Sequence, residues 1–396
     1  YYIDKTMYIK DIIDNQSKVL LVTRPRRFGK TLNMSMLKYY FDIDQKDSRQ
    51  LFDGLKIMQQ DEKYTSKLGA YPVIYLTLKD VNDTNYKNML LNLKTALLSV
   101  FREHRYLLES DKIYEDEKER IKDILFCRED EVALKVAIKE LSEYLYRYFD
   151  RPVILLIDEY DVPIQSAYIN DYYDEAINFL KTFYGATFKD NPYLEKTVLT
   201  GVSRVAKESI FSGANNFDVY TIMDNEFADD FGITEEEMDK VIEDFQIEDE
   251  KEEIRKWYDG YKIGDIEGIY NPWSILNYLN KRELMPYWVN TSSNDLIKMT
   301  LKNSTTVKEQ IERLLNDEAV EVNINLETVI VGIEDQEENI WGLMLQTGYL
   351  KIEETVSLTE GIYKVKIPNL EIKELFRGIV RDRFNNKVIG LSLIHI

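Results

Sequence analysis

Gly29, Lys30 and Thr31 are the residues of this chain whose types and spacing best suit phosphate chemistry. They follow the apolar run 19–22 and precede the helix-like stretch 32–41, so the sequence predicts a strand, a basic loop and a helix. The first N–H groups of a helix lack intrahelical partners and can receive anionic oxygens. Glycine lets the backbone approach phosphates, lysine reaches the β- and γ-phosphates, and the threonine hydroxyl binds Mg²⁺. The predicted nucleotide-binding residues are Arg26, Arg27, Phe28, Gly29, Lys30, Thr31 and Leu32.

The loop departs from the pattern G-x-x-x-x-G-K-[ST] at its first position, where Arg24 replaces glycine and Pro25 follows. The chain therefore lacks the φ freedom of glycine at that point. Taken alone, the tripeptide fits an ordinary strand-to-helix turn equally well. Arg24, Arg26 and Arg27 have three possible roles: phosphate partners, an arginine supplied in trans, or charges that keep an edge soluble.

A second element raises the case for a nucleotide site. The five large apolar residues 153–157 end at Asp158 and Glu159, as in a central strand of a parallel sheet. Open α/β sheets bind ligands at the carboxyl ends of their strands. There Asp158 would hold Mg²⁺, usually through a water, and Glu159 would polarise the water that attacks the γ-phosphate. An isolated run of this kind is more often a strand ending in a solvated turn, but the two elements together favour an Mg²⁺–nucleotide site.

A third apolar run, 197–200, leads into Gly201, Val202, Ser203 and Arg204. In P-loop ATPases a polar or basic residue at this edge can sense the γ-phosphate or orient water. Ser203 and Arg204 are therefore candidate catalytic residues beside Glu159 and Lys30. A surface arginine after a strand is nearly as good an interpretation.

Six segments of the chain carry a resemblance to a known family, at residues 2–6, 23–31, 157–161, 199–204 with 206–213, 257–261 and 270–273. Together and in this order, they resemble the bacterial AAA-ATPase-like proteins. In that family the loop is commonly written with arginine in place of the first glycine, and a PD-(D/E)XK nuclease-like domain often follows the ATPase part. The resemblance implies an ATPase of the AAA-like class without supplying a substrate, and we assign no nuclease activity to these residues.

Composition narrows the function classes. The 396 residues include 51 Lys and Arg against 71 Asp and Glu, and a net charge of -20 disfavours sequence-independent DNA coating. A single cysteine, Cys127, with only His104 and His395, argues against a zinc site or a thiol–imidazole pair. Neither a bilayer-length apolar run nor a signal-peptide pattern is visible, so we expect a soluble cytoplasmic protein without a membrane partner.

The predicted fold class is α/β, a P-loop NTPase whose parallel sheet is flanked by helices, over residues 1–222. Residues 223–300 resemble the small helical lid of the family, with a capping box from Thr234 to Glu237 and an aromatic cluster assigned mainly to packing. Residues 301–396 predict a winged-helix-like module, with a helix at 341–348, a two-stranded wing at 349–356 and 363–367, and a helix at 370–380. The module is suited to packing or regulation because its cations are sparse. The chain starts at Tyr1 and its last residues, 390–396, match no motif, so we expect a truncated protein.

Two functions remain open from the sequence. In the first, ATP is hydrolysed to ADP and phosphate with Mg²⁺, and the cycle drives a conformational change. In the second, the protein is a nucleotide-gated switch or scaffold that turns over little and regulates an attached or partner effector such as a nuclease. A degenerate fold that binds no nucleotide is a third reading. A homo-oligomer is expected by analogy with AAA-like proteins.

Overall fold

The fold is known from a computed structural model that describes residues 1–204, 211, 217–288, 305–326, 336–378 and 381. The chain divides into two compact units. Unit 1 comprises Tyr1–Arg24 and Lys30–Thr221, and unit 2 comprises Pro25–Gly29 and Ile222–Ile396. The predicted phosphate loop is thus divided between the units, because Pro25–Gly29 group with unit 2 whereas Arg24 and Lys30 group with unit 1. The three-part division at 222 and 300 stays a prediction.

Unit 1 alternates helices and strands, as the sequence predicts. Its strands are β1 (Val19–Thr23), β2 (Val73–Thr77), β3 (Val153–Asp158), β4 (Leu194–Gly201) and β5 (Phe217–Tyr220). Its α-helices are α1 (Met7–Asp14), α2 (Lys30–Phe41), α3 (Glu62–Thr65), α4 (Tyr86–Glu103), α5 (Glu115–Leu125), α6 (Glu131–Phe149), α7 (Val162–Ile169) and α8 (Tyr173–Phe188). Three short 3₁₀ helices cover Lys46–Phe52, Lys56–Gln59 and Arg105–Glu109.

The five strands of unit 1 form one parallel sheet in the order β2-β3-β4-β1-β5. Every residue of β1 and β3 is buried, as expected for strands covered on both faces. Helices α2 and α6 pack against β3, and helices α2 and α4 pack against β2. The predicted α/β fold with a parallel sheet is confirmed for this unit, as are the strands predicted at 19–22, 153–157 and 197–200.

The register of the sheet sets what meets at its carboxyl edge. Val22 of β1 pairs with Thr200 of β4, and Ile157 of β3 pairs with Leu199. The residue after Ile157 therefore reaches the edge beside Thr200. Parallel strands place the loops that follow β1, β3 and β4 at this one edge, which is where the sequence predicts a ligand site.

Unit 2 mixes helices with small sheets. Its α-helices are α9 (Glu235–Phe245), α10 (Lys251–Tyr258), α11 (Pro272–Lys281), α12 (Thr305–Leu315), α13 (Glu337–Gln346) and α14 (370–378), with a 3₁₀ turn at Glu248–Glu250. Its strands are β6 (Tyr261–Ile263), β7 (Ile266–Ile269), β8 (Val320–Asn323), β9 (Lys351–Ser357) and β10 (Ile362–Lys366). Strands β6 and β7 form a hairpin, and β8-β10-β9 form an antiparallel sheet.

Local predictions in unit 2 hold in part. The capping box is confirmed: the Glu237 N–H donates to the Thr234 hydroxyl, and the Glu237 carboxylate accepts from the Thr234 N–H. The order of helix, hairpin and helix predicted near the end is present as α13, β9, β10 and α14. The two-stranded wing was too small, however, because β8 pairs with β10 as a third strand. The four residues of β8 alternate buried and exposed, but this run is too short to predict a strand from the sequence.

Some predicted features lie outside the described residues. These are the motif 206–213 except Phe211, the last residues of the helix predicted to reach 380, and the segment 390–396. Within the part of the chain that is described, every helix is too short or too polar to cross a lipid bilayer.

Candidate functional site

Asp158, at the last position of β3, links the two sequence motifs. Its Oδ2 accepts a hydrogen bond from the Thr31 hydroxyl at 2.7 Å, and its Oδ1 accepts one from the Thr200 hydroxyl at 2.6 Å. Asp158 and Thr200 are buried, whereas Thr31 at the start of α2 is exposed. Both carboxylate oxygens are therefore oriented by hydroxyl donors. Thr31 and Asp158 are 127 positions apart in the chain. They meet here because β1 and β3 end at the same edge of the sheet, with β4 between them.

Lys30 is buried at the first position of α2, and its Nζ donates to the Arg24 carbonyl oxygen at 3.0 Å. The ammonium thus closes the loop onto its own first residue. Gly29, just before it, has φ +88°, a left-handed conformation that glycine adopts without strain. No atom lies within 4 Å of the position that a Cβ would take at Gly29, so backbone conformation rather than crowding requires the glycine.

Arg24, which stands where the loop pattern has its first glycine, is fully buried. Its guanidinium Nη1 donates to the carbonyl oxygens of Thr23 at 2.9 Å, Thr221 at 2.8 Å and Tyr220 at 3.3 Å. The side chain therefore ties the end of β1 to the end of β5. The sequence left three roles open for Arg24. This placement gives it a fourth role, which is to join two strands of the sheet.

Arg26 and Arg27 belong to the loop segment that groups with unit 2. The Arg27 guanidinium stacks 4.5 Å from the ring centre of Trp273. The Arg26 carbonyl accepts a hydrogen bond from the Trp288 indole N–H at 3.0 Å. Arg27 has φ +66°, which is uncommon for a residue with a side chain. A phosphate role for either guanidinium stays a prediction.

Phe28 and Leu32, also predicted to line the nucleotide, have opposite environments. The Phe28 ring is buried and packs edge-to-face on Tyr261 at 4.9 Å. Its carbonyl accepts from the Gly232 N–H at 3.2 Å. Leu32 is 62% exposed on α2. Phe28 thus anchors the loop backbone within unit 2, and Leu32 leaves an apolar side chain open to solvent.

Glu159 directly follows β3 and is partly exposed. Its φ is +55°, so the strand ends in a left-handed residue before α7 begins at Val162. The Val162 N–H closes this turn on the Glu159 carbonyl at 3.2 Å. Such conformations cost free energy and cluster at functional sites. The turn places Glu159 next to Asp158 at the edge of the sheet, and its predicted role as the base stays a prediction.

Ser203 and Arg204 follow β4 at the same edge. The Ser203 hydroxyl is buried and donates to the Asp161 carboxylate at 3.0 Å, so it points into the protein. Arg204 is partly exposed. Of the two, Arg204 has the accessible side chain, and the sensing role predicted for the pair stays a prediction.

The electrostatic surroundings of Asp158 include Tyr75 on β2. Burial and the negative charge of Asp158 raise the pKa of Tyr75 well above its ordinary value. The phenol therefore stays protonated and can serve as a hydrogen-bond donor toward the carboxylate. At the edge of the sheet, the hydroxyl groups of Thr31, Thr200 and Tyr75 thus face one carboxylate.

Two residues of this edge were missed as site residues. Thr200 appeared in the sequence only as the end of an apolar run, and Asp161 only as the end of an acidic segment. A threonine closing the strand next to an acidic strand was the available signal for Thr200. Nothing in the sequence indicated that Asp161 would turn inward toward β4, because that depends on the turn at Glu159.

The donor set at the edge suits a hard cation. A threonine hydroxyl and an aspartate carboxylate supply oxygen ligands, and magnesium bound with a nucleotide takes further oxygens from phosphate and water. Among the described residues, no group of three or more His, Cys, Asp or Glu side chains is arranged to hold a metal ion. Thr31 and Asp158 fit the share of Mg²⁺ ligands that a protein contributes at such a site.

The comparisons with known proteins include the part of the chain that holds this site. Residues 1–211 match the family described as "Predicted AAA-ATPase". Over 380 residues the chain is 27% identical to a protein of Azotobacter chroococcum mcd 1 described as an "Uncharacterized protein in vnfD 5'region". That match covers 94% of this chain and 65% of the relative, so the chain spans just under two thirds of the relative's length. Lys30 and Asp158 both lie within residues 1–211, and the chain belongs to the AAA-ATPase-like family.

Proposed function

We propose that this protein binds ATP at the carboxyl edge of the parallel sheet and hydrolyses it to ADP and phosphate. The observation that carries the proposal is the 2.7 Å hydrogen bond from Thr31 to Asp158. It joins the helix start of the phosphate loop to the tip of the acidic strand, and membership of the AAA-ATPase-like family supports it.

Each residue of the edge has a role in this proposal. Lys30 exchanges its bond to the Arg24 carbonyl for oxygens of the β- and γ-phosphates. Thr31 and Asp158 would hold Mg²⁺, which would supply positive charge to neutralise the phosphates. Glu159 accepts the proton of the attacking water, and Arg204 stabilises charge that develops on the γ-phosphate. Ser203 supports Arg204 from the loop rather than touching phosphate, because its hydroxyl is buried against Asp161.

The test compares three variants for ATP binding and phosphate release. Lys30→Ala is expected to weaken ATP binding roughly 100-fold, which is about 3 kcal/mol. Glu159→Gln is expected to keep ATP binding and lose phosphate release. Lys38→Ala is the matched control, since Lys38 lies on the same helix and pairs with Glu103 instead. ATP binding that is equal in the wild type and Lys30→Ala would reject the site.

The alternative within the same site is a switch or scaffold that binds ATP and hydrolyses little. It is correct if both the wild type and Glu159→Gln bind ATP while the wild type releases no more phosphate than the variant. The effector of such a switch, and a homo-oligomer that completes the site, are proposals by analogy with the family.

We also propose that residues 223–300 act as a lid and that α13, β9, β10 and α14 act as a winged-helix-like module. The order of these last four elements supports the second assignment. Their surface cations are largely paired, since Lys364 bonds Glu354 and Lys366 bonds Glu353. This pairing favours packing or regulation over DNA binding.

A further inference from the structure

Asp161 is a buried carboxylate to which the proposed mechanism gives no role. It is 1% exposed, and its Oδ2 collects four donors. Two are the backbone N–H groups of Val202 at 3.0 Å and Ser203 at 2.9 Å. The others are the Ser203 hydroxyl at 3.0 Å and the Gln165 side-chain amide at 2.7 Å. One oxygen of Asp161 therefore binds Val202 and Ser203, the two residues that follow β4.

Tyr160, the neighbour of Asp161, binds the same loop from its other side. Its hydroxyl donates to the Ser203 carbonyl at 2.8 Å, and its N–H donates to the Thr200 carbonyl at 3.0 Å. Tyr160 is itself fixed, because the Tyr184 hydroxyl donates to its carbonyl at 3.0 Å. Hydrogen bonds thus tie the peptide units at Thr200, Val202 and Ser203 to the two residues that follow Glu159.

Gly201 shows how closely the two segments approach. A Cβ placed there would lie 2.6 Å from the Tyr160 ring and 2.7 Å from Oδ1 of Asp161. Real Cβ atoms essentially never approach so closely, so a larger residue at this position would displace the Tyr160 ring or the Asp161 carboxylate. The backbone at the exit of β4 is therefore packed closely against the side chains of Tyr160 and Asp161.

We propose that Asp161 is a positioning residue of the ATPase site, which fixes the Val202–Arg204 loop relative to Asp158 and Glu159. This inference rests on the proposed function of the same edge. Asp161 lies two residues after Glu159, and Arg204 follows directly on Ser203, so the Asp161 clamp sets where Arg204 stands against the proposed base. A misplacement of about 1 Å can reduce a rate by two orders of magnitude.

A charged carboxylate is needed for this clamp because one oxygen accepts four hydrogen bonds. Hydrogen bonds to an ionised acceptor are roughly twice as strong as neutral ones. An asparagine keeps the shape and one acceptor oxygen but loses the charge. An alanine leaves the buried N–H groups of Val202 and Ser203 without this acceptor, so the loop shifts or takes up water.

The experiment measures kcat, the ATP dissociation constant and the unfolding midpoint for Asp161→Ala and Asp161→Asn. For Asp161→Ala we expect kcat to fall roughly tenfold or more while the ATP dissociation constant stays within about twofold, since Asp161 touches neither Lys30 nor Thr31. Asp161→Asn is expected to recover part of the rate. The control is Thr187→Val, which removes a buried hydroxyl that bonds the Phe183 carbonyl within α8. It should lower stability without changing kcat.

A purely structural role makes a different forecast. Asp161→Ala would then unfold more easily but hydrolyse ATP at the wild-type rate at temperatures well below its midpoint, and that result would overturn the inference. If the wild type binds ATP without hydrolysing it, the readout becomes hydrogen exchange of residues 201–204. ATP should then protect these amides in the wild type and not in Asp161→Ala, at equal ATP affinity. Equal protection in both proteins, or none in the wild type, rejects the positioning role.

The two proposals fail in distinguishable ways. If the wild type and Lys30→Ala bind ATP equally or not at all, the proposed function is wrong, and the role of Asp161 is rejected with it. If the wild type passes that comparison and Asp161→Ala behaves like Thr187→Val, the site stands and only the clamp is rejected.

Discussion

At the scale of single residues, the environment of Asp158 is the most informative feature of the chain. Its two oxygens accept hydrogen bonds from two threonines of different motifs, one at the start of helix α2 and one in strand β4. The two hydroxyl groups are not equivalent, because Thr31 is exposed at the start of α2 and Thr200 is buried at the end of β4. Only Thr31 can turn toward a ligand at the edge of the sheet.

This asymmetry gives a matched pair of variants. Thr31→Val and Thr200→Val each remove one hydroxyl from Asp158, and each is expected to cost about 1 kcal/mol of unfolding free energy. Thr31→Val should also raise the Mg²⁺ concentration required for ATP binding, roughly tenfold, since it removes a metal ligand. Titration of Mg²⁺ at fixed ATP measures this. Equal Mg²⁺ requirements in the two variants would contradict the assignment of Thr31.

At the scale of elements, Arg24 holds together two strands of the sheet. Its buried guanidinium spans the ends of β1 and β5 through three carbonyl oxygens. Strand β5 has only four residues and lies at the edge of the sheet, so this side chain supplements a short ladder. The departure from the glycine pattern is thus accompanied by a structural contact that glycine could not make.

Restoring the pattern should therefore harm the protein. Arg24→Gly is expected to lower the unfolding free energy by about 3 kcal/mol, because buried carbonyl groups lose their donor and a cavity is left. Arg24→Lys should lose less, since one ammonium can keep part of the bonding. Urea unfolding followed by far-ultraviolet circular dichroism measures both. An Arg24→Gly protein as stable as the wild type would show that the three hydrogen bonds contribute nothing.

At the scale of the whole molecule, each unit contains a buried titratable group. The contributions of these two groups to stability change with pH in opposite directions. In unit 1, burial and the nearby Lys38 lower the pKa of His104 to about 4. Its contribution to stability is lost as pH falls from 6.5 toward 4. In unit 2, burial raises the pKa of Glu371 to about 7, although Trp288 and Ser274 donate hydrogen bonds to its carboxylate. Its contribution is lost as pH rises from 4.5 toward 7.

The Glu371 effect can be isolated, because all four tryptophans, at 257, 273, 288 and 341, belong to unit 2. Tryptophan fluorescence in urea should show Glu371→Gln gaining up to about 3 kcal/mol over the wild type between pH 5 and 8. Glu374→Gln, on the same helix and paired with Arg377, is the control and should not change the pH dependence. A constant difference in unfolding free energy between the wild type and Glu371→Gln across this range would show that the pKa of Glu371 does not change on unfolding.

Much of unit 1 was accessible from sequence because its signals are local. Runs such as 153–157 are apolar on both faces, and a phosphate loop carries its chemistry in consecutive residues. Strand β8 could not be predicted from the sequence, since four alternating residues are too few to distinguish a strand from a loop. The burial of Arg24 was not accessible either, because a basic residue in a loop is normally solvated and only the neighbouring carbonyls of β5 reverse that expectation.

The sequence by itself determined the α/β class, the strands at 19–22, 153–157 and 197–200, the capping box and the residue types of the proposed site, because these depend on periodicity and on neighbours along the chain. Only the tertiary structure decided which side chains meet. The strand order brings Thr31 and Thr200 to the two oxygens of Asp158, and the left-handed turn at Glu159 directs Asp161 inward to the exit of β4. Such meetings depend on contacts between residues distant in sequence, which local patterns do not encode.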